Sequence, residues 1–387
     1  MSQILQFVQN KLIFLILVVI LAGLFNVHFF GGWHFTPLIC LLAALVMIYP
    51  SLVPLSFSGL KELKTHRSLL FLSALLNFLV APLIAYFVSG FLLADQPALR
   101  LGFIVLALLP GGGMVTTWAL KSKADMPLTV GIIVLNLLLA IGLTPFGISY
   151  ATKLLIKEQA PQIKQTTPAK KYQTSKKSFS LPEKNSAYHQ SLVNNEKPDN
   201  ANEECLIEKT TAGQASCGLS GSTITPFKIA IPILFIVVFP LGLAWLTQRL
   251  IIKFKGQEYF QTVKKEFGQF SNLGLLIVLF VLMSLQNNAT IFEQKYLLGE
   301  TFLTLLLFYG LIFSVPYFIY KKFYPNAKGV ALFWGSYLRY ITLALGLGIS
   351  LVFQNDRLSP LILVIVLSYF IQIPSSYYLS KIIKAEN

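Results

Sequence analysis

Apolar runs of roughly 20 residues recur along the chain, with short polar or basic stretches between them. Runs of that length cross a bilayer as helices. The first extends from Leu12 to about Phe30, the second from Pro37 to Leu52 and the third from Ser68 to Leu93. Leu101 to Leu120 is the fourth and Pro127 to Tyr150 the fifth. A long polar stretch intervenes. Then come Pro226 to Leu246, Asn272 to Leu285, Glu300 to Tyr320, Gly329 to Phe353 and Leu358 to Leu379. The pattern predicts an all-α polytopic membrane protein of about ten transmembrane helices.

The fourth run is interrupted. Pro110-Gly111-Gly112-Gly113 stands between Leu106-Ala-Leu-Leu and Met114-Val-Thr116-Thr117. Proline removes a donor and glycines weaken a helix. At membrane depth such a break is tolerated where protein or a water-filled cavity satisfies the freed backbone. The stretch is therefore expected to be the floor of a substrate site. The ninth run also has an unusual interior, Gly335-Ser336-Tyr337-Leu338-Arg339-Tyr340-Ile341-Thr342.

Lys and Arg cluster after the second, fourth, sixth, eighth and tenth runs. The positive-inside rule then places both termini in the cytoplasm and the polar stretch outside. That stretch, residues 151–225, is rich in Lys, Gln, Ser, Thr, Asn and Pro, and is expected to be a disordered insert. Cys205 and Cys217 within it could close a small disulfide loop or remain two thiols. The insert divides the chain into a first repeat, 1–150, and a second, 226–387. Each half has about five spans, and an odd number inverts one half against the other. The openings of the fifth and tenth runs correspond: Asp125-Met-Pro127-Leu-Thr-Val and Arg357-Leu-Ser-Pro360-Leu-Ile. Inverted repeats with discontinuous helices at matching places, here four and nine, mark secondary transporters with a midplane site.

Composition narrows the chemistry. Of 387 residues, 55% are hydrophobic and 12% charged, and a soluble domain carries about twice that charge. The net charge of +15 falls between the apolar runs, so it reads as topology and not as a nucleic-acid surface. Three cysteines build no metal or disulfide framework. No phosphate loop and no HExxH motif occurs, and the four histidines lie in different segments. An enzyme and a resident cofactor or metal are therefore not expected.

Arg339 is the cation interior to an apolar run. It either faces the cavity of the broken helices as a fixed charge, or snorkels, or satisfies a carbonyl of the break. Asn77, Thr116, Thr117, Thr129, Asn136, Ser336 and Thr342 are polar residues inside runs. Singly, each is accounted for as packing glue between helices. Their concentration around the two interrupted runs points to a site.

Pro110-Gly111-Gly112, the Thr-rich turn after it, and Leu120-Lys-Ser-Lys-Ala-Asp125-Met-Pro-Leu128-Thr129 resemble the fourth-span signature of the bile acid:sodium symporter superfamily. Thr144-Pro145 is similar to a Thr-Pro in that family's fifth helix. Gly113-Met114-Val115, Val134-Leu135-Asn136 and Met47-Ile48-Tyr49-Pro50 resemble the arsenite efflux permeases of the same superfamily. The resemblance implies a panel and a core subdomain, with breaks crossing in spans four and nine. The chain also departs from it. Val115-Thr116 stands where sodium-coupled members carry Ser-Asn, and the later Ser/Thr ligands become Thr129 and Ile133. The ninth-span Glu and Gln-Asn pair align with Gly335 and Arg339-Tyr340. The oxygen-rich shell that a hard cation needs is largely absent. A metalloid-binding Cys aligns near Gly111, which supplies no thiolate.

The expectation is thus a secondary transporter in the bacterial inner membrane, moving a small organic anion by alternating access. Gly111, Gly112, Gly113, Thr116 and Thr117 would form the first crossing segment. Ser336, Arg339, Tyr340 and Thr342 would form the second, with Asn77, Thr129 and Asn136 nearby. The coupling ion could be sodium, a proton or an exchanged anion. The alternatives are oxyanion efflux of the arsenite type and a non-transporting receptor or scaffold. No oligomeric state follows.

Overall fold

The structure, a computed structural model, describes residues 7–8, 11–31, 42, 45–46, 48–50, 52–53, 66–165, 234–284, 295–354, 358 and 360–384. Most of the second run and residues 166–225 of the insert, with Cys205 and Cys217, lie outside the described residues. The chain divides into two units, Met1–Leu154 with Ile224–Asn387, and Leu155–Thr223. The smaller unit is described only as a continuation, to Gln165, of the helix begun at Met126.

Among the described residues every regular element is helical. Helix α1 is Leu12–Phe30. Helices α2, Arg67–Leu75, and α3, Ala81–Leu92, join through one π-helical turn, Leu76–Val80. Pro82 sits at the start of α3. A proline ring crowds the carbonyl a turn earlier, and the wider π spacing relieves that. Asn77 lies in the same turn. Helix α4 is Pro97–Leu108, α5 Gly113–Lys121 and α6 Met126–Gln165. Helix α7 is Phe239–Met283, α8 Lys295–Phe323, α9 Ala327–Tyr337, α10 Ile341–Gln354 and α11 Pro360–Ile382.

Among the described residues four stretches are long and apolar enough to cross a bilayer: Arg67–Leu92, Met126–Glu158, Tyr296–Phe323 and Pro360–Ile382. Three boundaries differ from the hydropathy pattern. The fifth run, expected to end at Tyr150 with a disordered insert from residue 151, continues as helix α6 to Gln165, because Ala151-Thr-Lys-Leu-Leu-Ile-Lys-Glu-Gln159 is rich in helix-forming residues. The basic stretch between the sixth and seventh runs is helical, and α7 passes through it with a sharp break at Gly256 (φ 83°, ψ 167°). Arg100, expected in a loop, lies in the first turns of α4, buried, with its guanidinium 5.5 Å from the Tyr86 ring centre. That aromatic face shelters a charge the pattern assigns to solvent.

Helix α4 is buried on every side from Leu99 to Leu108. It packs against α3, α10 and α11, while α9 packs against α8, α5 and α2. A helix apolar all round belongs in a core. These two core helices are the ones that stop short, and their ends meet.

Candidate functional site

Helix α4 ends at Leu108, and Leu109 is already extended (φ −109°, ψ 93°). Helix α9 ends at Tyr337, and Leu338 is likewise extended (φ −74°, ψ 140°). The two peptides run side by side as one antiparallel bridge between Pro110 and Arg339. The Tyr340 N–H donates to the Leu109 carbonyl at 3.0 Å. Each break therefore supplies backbone partners for the other, which a spanning segment needs where water is absent.

The approach is close enough to require glycine. A Cβ on Gly111 would lie 3.0 Å from the Leu338 carbonyl oxygen and 2.5 Å from Val115 Cγ2. One on Gly112 would lie 2.5 Å from Cε1 of the Tyr340 ring. A larger residue at Gly111 would press on the Leu338 peptide, and one at Gly112 would displace the Tyr340 ring.

A helix that stops leaves its last carbonyls without intrahelical donors. Here side chains from distant elements supply them. The Arg339 guanidinium donates through Nη1 to the Ala107 carbonyl at 3.0 Å, and through Nη2 to the Ser336 carbonyl. The Thr144 hydroxyl donates to the Leu108 carbonyl at 3.3 Å. Asn77 Nδ2 donates to the Gly335 carbonyl at 3.1 Å, and the Leu338 N–H bonds back to Trp334 at 3.3 Å. Of the readings open for Arg339, the geometry is that of a carbonyl cap, and it caps both breaks at once. Helix C-termini carry negative potential, so one cation between two of them is well placed. Arg339 is 2% exposed.

The other ends differ. Helix α5 starts at Gly113 with no side-chain cap. Gly113 and Thr116 are half-buried there and Thr117 is exposed. The Thr116 hydroxyl turns back to the Gly113 carbonyl at 2.7 Å. Of the expected site residues, these three are the ones not buried. Gly111, Gly112, Asn77, Thr129, Asn136, Ser336, Arg339, Tyr340 and Thr342 are all buried.

Several buried members still carry atoms without a protein partner. These are Asn77 Oδ1, Asn136 Oδ1, Ser336 Oγ, Arg339 Nε and Thr342 Oγ1. Asn136 reaches Asn77 indirectly, because both amides donate to Ser73 Oγ, at 2.8 and 3.4 Å. Thr129 stands apart, its hydroxyl bonded to the Asp125 carbonyl at 2.7 Å in the first turn of α6. The Asp125 carboxylate caps that turn at the Leu128 N–H, 3.0 Å away.

Sequence reasoning overlooks Ser73, Tyr309 and Gln372. Gln372 was visible as an amide inside the tenth run, in Ser368-Tyr-Phe-Ile-Gln372-Ile-Pro374. What it bonds was not.

Comparison with known proteins gives two matches. Residues 40–175 match the sodium bile acid symporter family. That stretch holds the first break but not the second. The chain is also 33% identical over 95 residues to the arsenical-resistance protein Acr3 of Corynebacterium glutamicum. The aligned stretch is 24% of this chain and 26% of that protein's length, so about a quarter of each is compared. Both matches fit the bile acid:sodium symporter superfamily. Together with the apolar helices they support an integral membrane protein of the transporter kind.

Proposed function

We propose that this chain is a secondary transporter of the bile acid:sodium symporter type that moves a small organic anion by alternating access around the crossing of the two breaks. The observation behind the proposal is the division of labour at that crossing. The C-terminal ends of α4 and α9 are closed by Arg339, Thr144 and Asn77. The N-terminal end of α5 carries no side-chain cap, and Gly113, Thr116 and Thr117 there are not buried. Positive potential at a helix start suits an anion.

Arg339 also bears on coupling. Its guanidinium supplies a permanent positive charge beside carbonyl oxygens that would otherwise invite a hard cation. Transport driven by bound sodium is then not required, and anion exchange or a proton remains as the coupling. About ten helices in two inverted halves, with both termini in the cytoplasm, complete the reading.

The test is flux in proteoliposomes holding the purified full-length protein, with a labelled bile salt, other small organic anions and arsenite as probes. The expected result is protein-dependent uptake of an organic anion that is equal in sodium and choline media. No flux of any probe above protein-free vesicles would favour a receptor or scaffold. Steep sodium dependence would overturn the role given to Arg339. The likeness to an arsenical-resistance protein favours a second reading, arsenite-type efflux. Arsenite flux with no organic anion flux would establish it.

A further inference from the structure

The extended peptide Leu338–Tyr340 needs hydrogen-bond partners on two edges. Leu109 serves one. On the other, the Gln372 carboxamide of α11 meets the Arg339 main chain. The Arg339 N–H donates to Gln372 Oε1 at 2.9 Å, and Gln372 Nε2 donates back to the Arg339 carbonyl at 3.0 Å. Paired residues of an antiparallel sheet exchange the same two bonds. A side chain here takes the place of a neighbouring strand.

The carboxamide is itself held. The Tyr309 hydroxyl of α8 donates to the same Oε1 at 3.0 Å. An N–H can only donate, so the Arg339 amide fixes which end of the carboxamide is the oxygen. Gln372 is 1% exposed, and losing it would leave the Arg339 N–H and carbonyl unpaired and take one partner from the Tyr309 hydroxyl.

We propose that Gln372 is a positioning residue of the crossing. It holds the Arg339 peptide extended, which sets the guanidinium on its two carbonyls and the Tyr340 ring against Gly112. The open start of α5 at Gly113 follows directly from that register. Tyr309 ties the arrangement to α8. Gln372 touches no solute in this role, and its effect on transport rests on the transporter reading above.

The experiment needs no solute. A single Thr117→Cys reporter is placed in full-length protein whose Cys40, Cys205 and Cys217 are replaced by serine. A Gln257→Cys reporter, exposed beside the Gly256 bend of α7, serves as the remote control. Labelling rates with a membrane-impermeant maleimide are compared in vesicles well below the melting temperature. Gln372→Leu is expected to change the Thr117→Cys rate about fivefold or more, the population change worth one hydrogen bond. The Gln257→Cys rate should stay the same. Gln372→Glu keeps the acceptor for Arg339 N–H and Tyr309, and should restore part of the wild-type rate.

An unchanged Thr117→Cys rate in Gln372→Leu would overturn the proposal. So would an equal change at both reporters, which is general loosening. If the Thr117→Cys rate alone responds while no probe is transported by the wild type, the transporter reading fails and the positioning role stands.

Discussion

Replacing Arg339 by glutamine should cost the protein a large part of its stability, and the size of that loss follows from two carbonyls. Ala107 and Ser336 each accept from the guanidinium. Glutamine is too short and has too few donors to serve both. A buried acceptor left without a donor costs about 1–3 kcal/mol, so two give about 2–6 kcal/mol. Against this, removing a buried charge relieves a desolvation penalty. The favourable field of two helix C-termini, roughly 0.3–1 kcal/mol each, is lost at the same time. The net expectation is a loss of about 2–5 kcal/mol, or a melting temperature lower by about 2–6 °C. The crossing has a built-in reporter. Trp118 stacks on Trp334 with ring centres 6.2 Å apart, so intrinsic fluorescence during heating reads this region. Wild-type protein should melt at the same temperature in sodium and choline chloride of equal ionic strength. Arg339→Gln exposes two carbonyl oxygens to a vacated volume, and sodium should raise its melting temperature while choline does not. At 100 times the dissociation constant that gain is about 2.7 kcal/mol. Arg339→Lys keeps the charge without the two-pronged fork and should fall between. An Arg339→Gln protein that melts within about a degree of wild type would refute the reasoning, because no missing pair of hydrogen bonds in a buried site has so small an effect.

Other expectations rest on separate contacts. Gly112→Ala forces a methyl onto the Tyr340 ring, 2.5 Å from Cε1. It should cost about 1–3 kcal/mol by overpacking, and Tyr340→Leu in the same chain should recover most of it in a double-mutant cycle read by thermal unfolding. Asn77→Leu removes the donor to the Gly335 carbonyl and also the unpartnered Oδ1. These oppose one another, so a small net loss of about 1 kcal/mol is expected, read as a small downward shift in the same melt. Deleting Gln165–Ser220 should leave flux in proteoliposomes intact, whereas a receptor whose working part is the insert would lose its activity.

Local chemistry explains what was legible. Helix α1 occupies Leu12–Phe30, the limits read from hydropathy alone, because where an apolar run begins and ends is local information. The interruption at Pro110–Gly113 was equally plain, since a missing donor and three glycines weaken any helix regardless of its surroundings. Asp125 was read only as opening the fifth run, and the structure adds that its carboxylate caps α6 at the Leu128 N–H. Hydropathy did less well between Arg249 and Lys265. It measures polarity, and a helix that continues through polar residues looks like a loop on that scale. Arg100 was misplaced for a related reason: the aromatic face that shelters it comes from Tyr86 on another helix.

By itself, then, the sequence determined that the chain is helical and apolar and that its fourth run breaks, while the break in the ninth was implied by the family resemblance. It also narrowed Arg339 to a few readings. The tertiary structure alone decided among them, by bringing its guanidinium to Ala107, 232 residues away, and Asn77 to Gly335, 258 residues away. A helix break is written in the residues that make it. The groups that satisfy its orphaned carbonyls come from wherever the packed fold brings a donor, and no periodicity along the chain encodes that meeting.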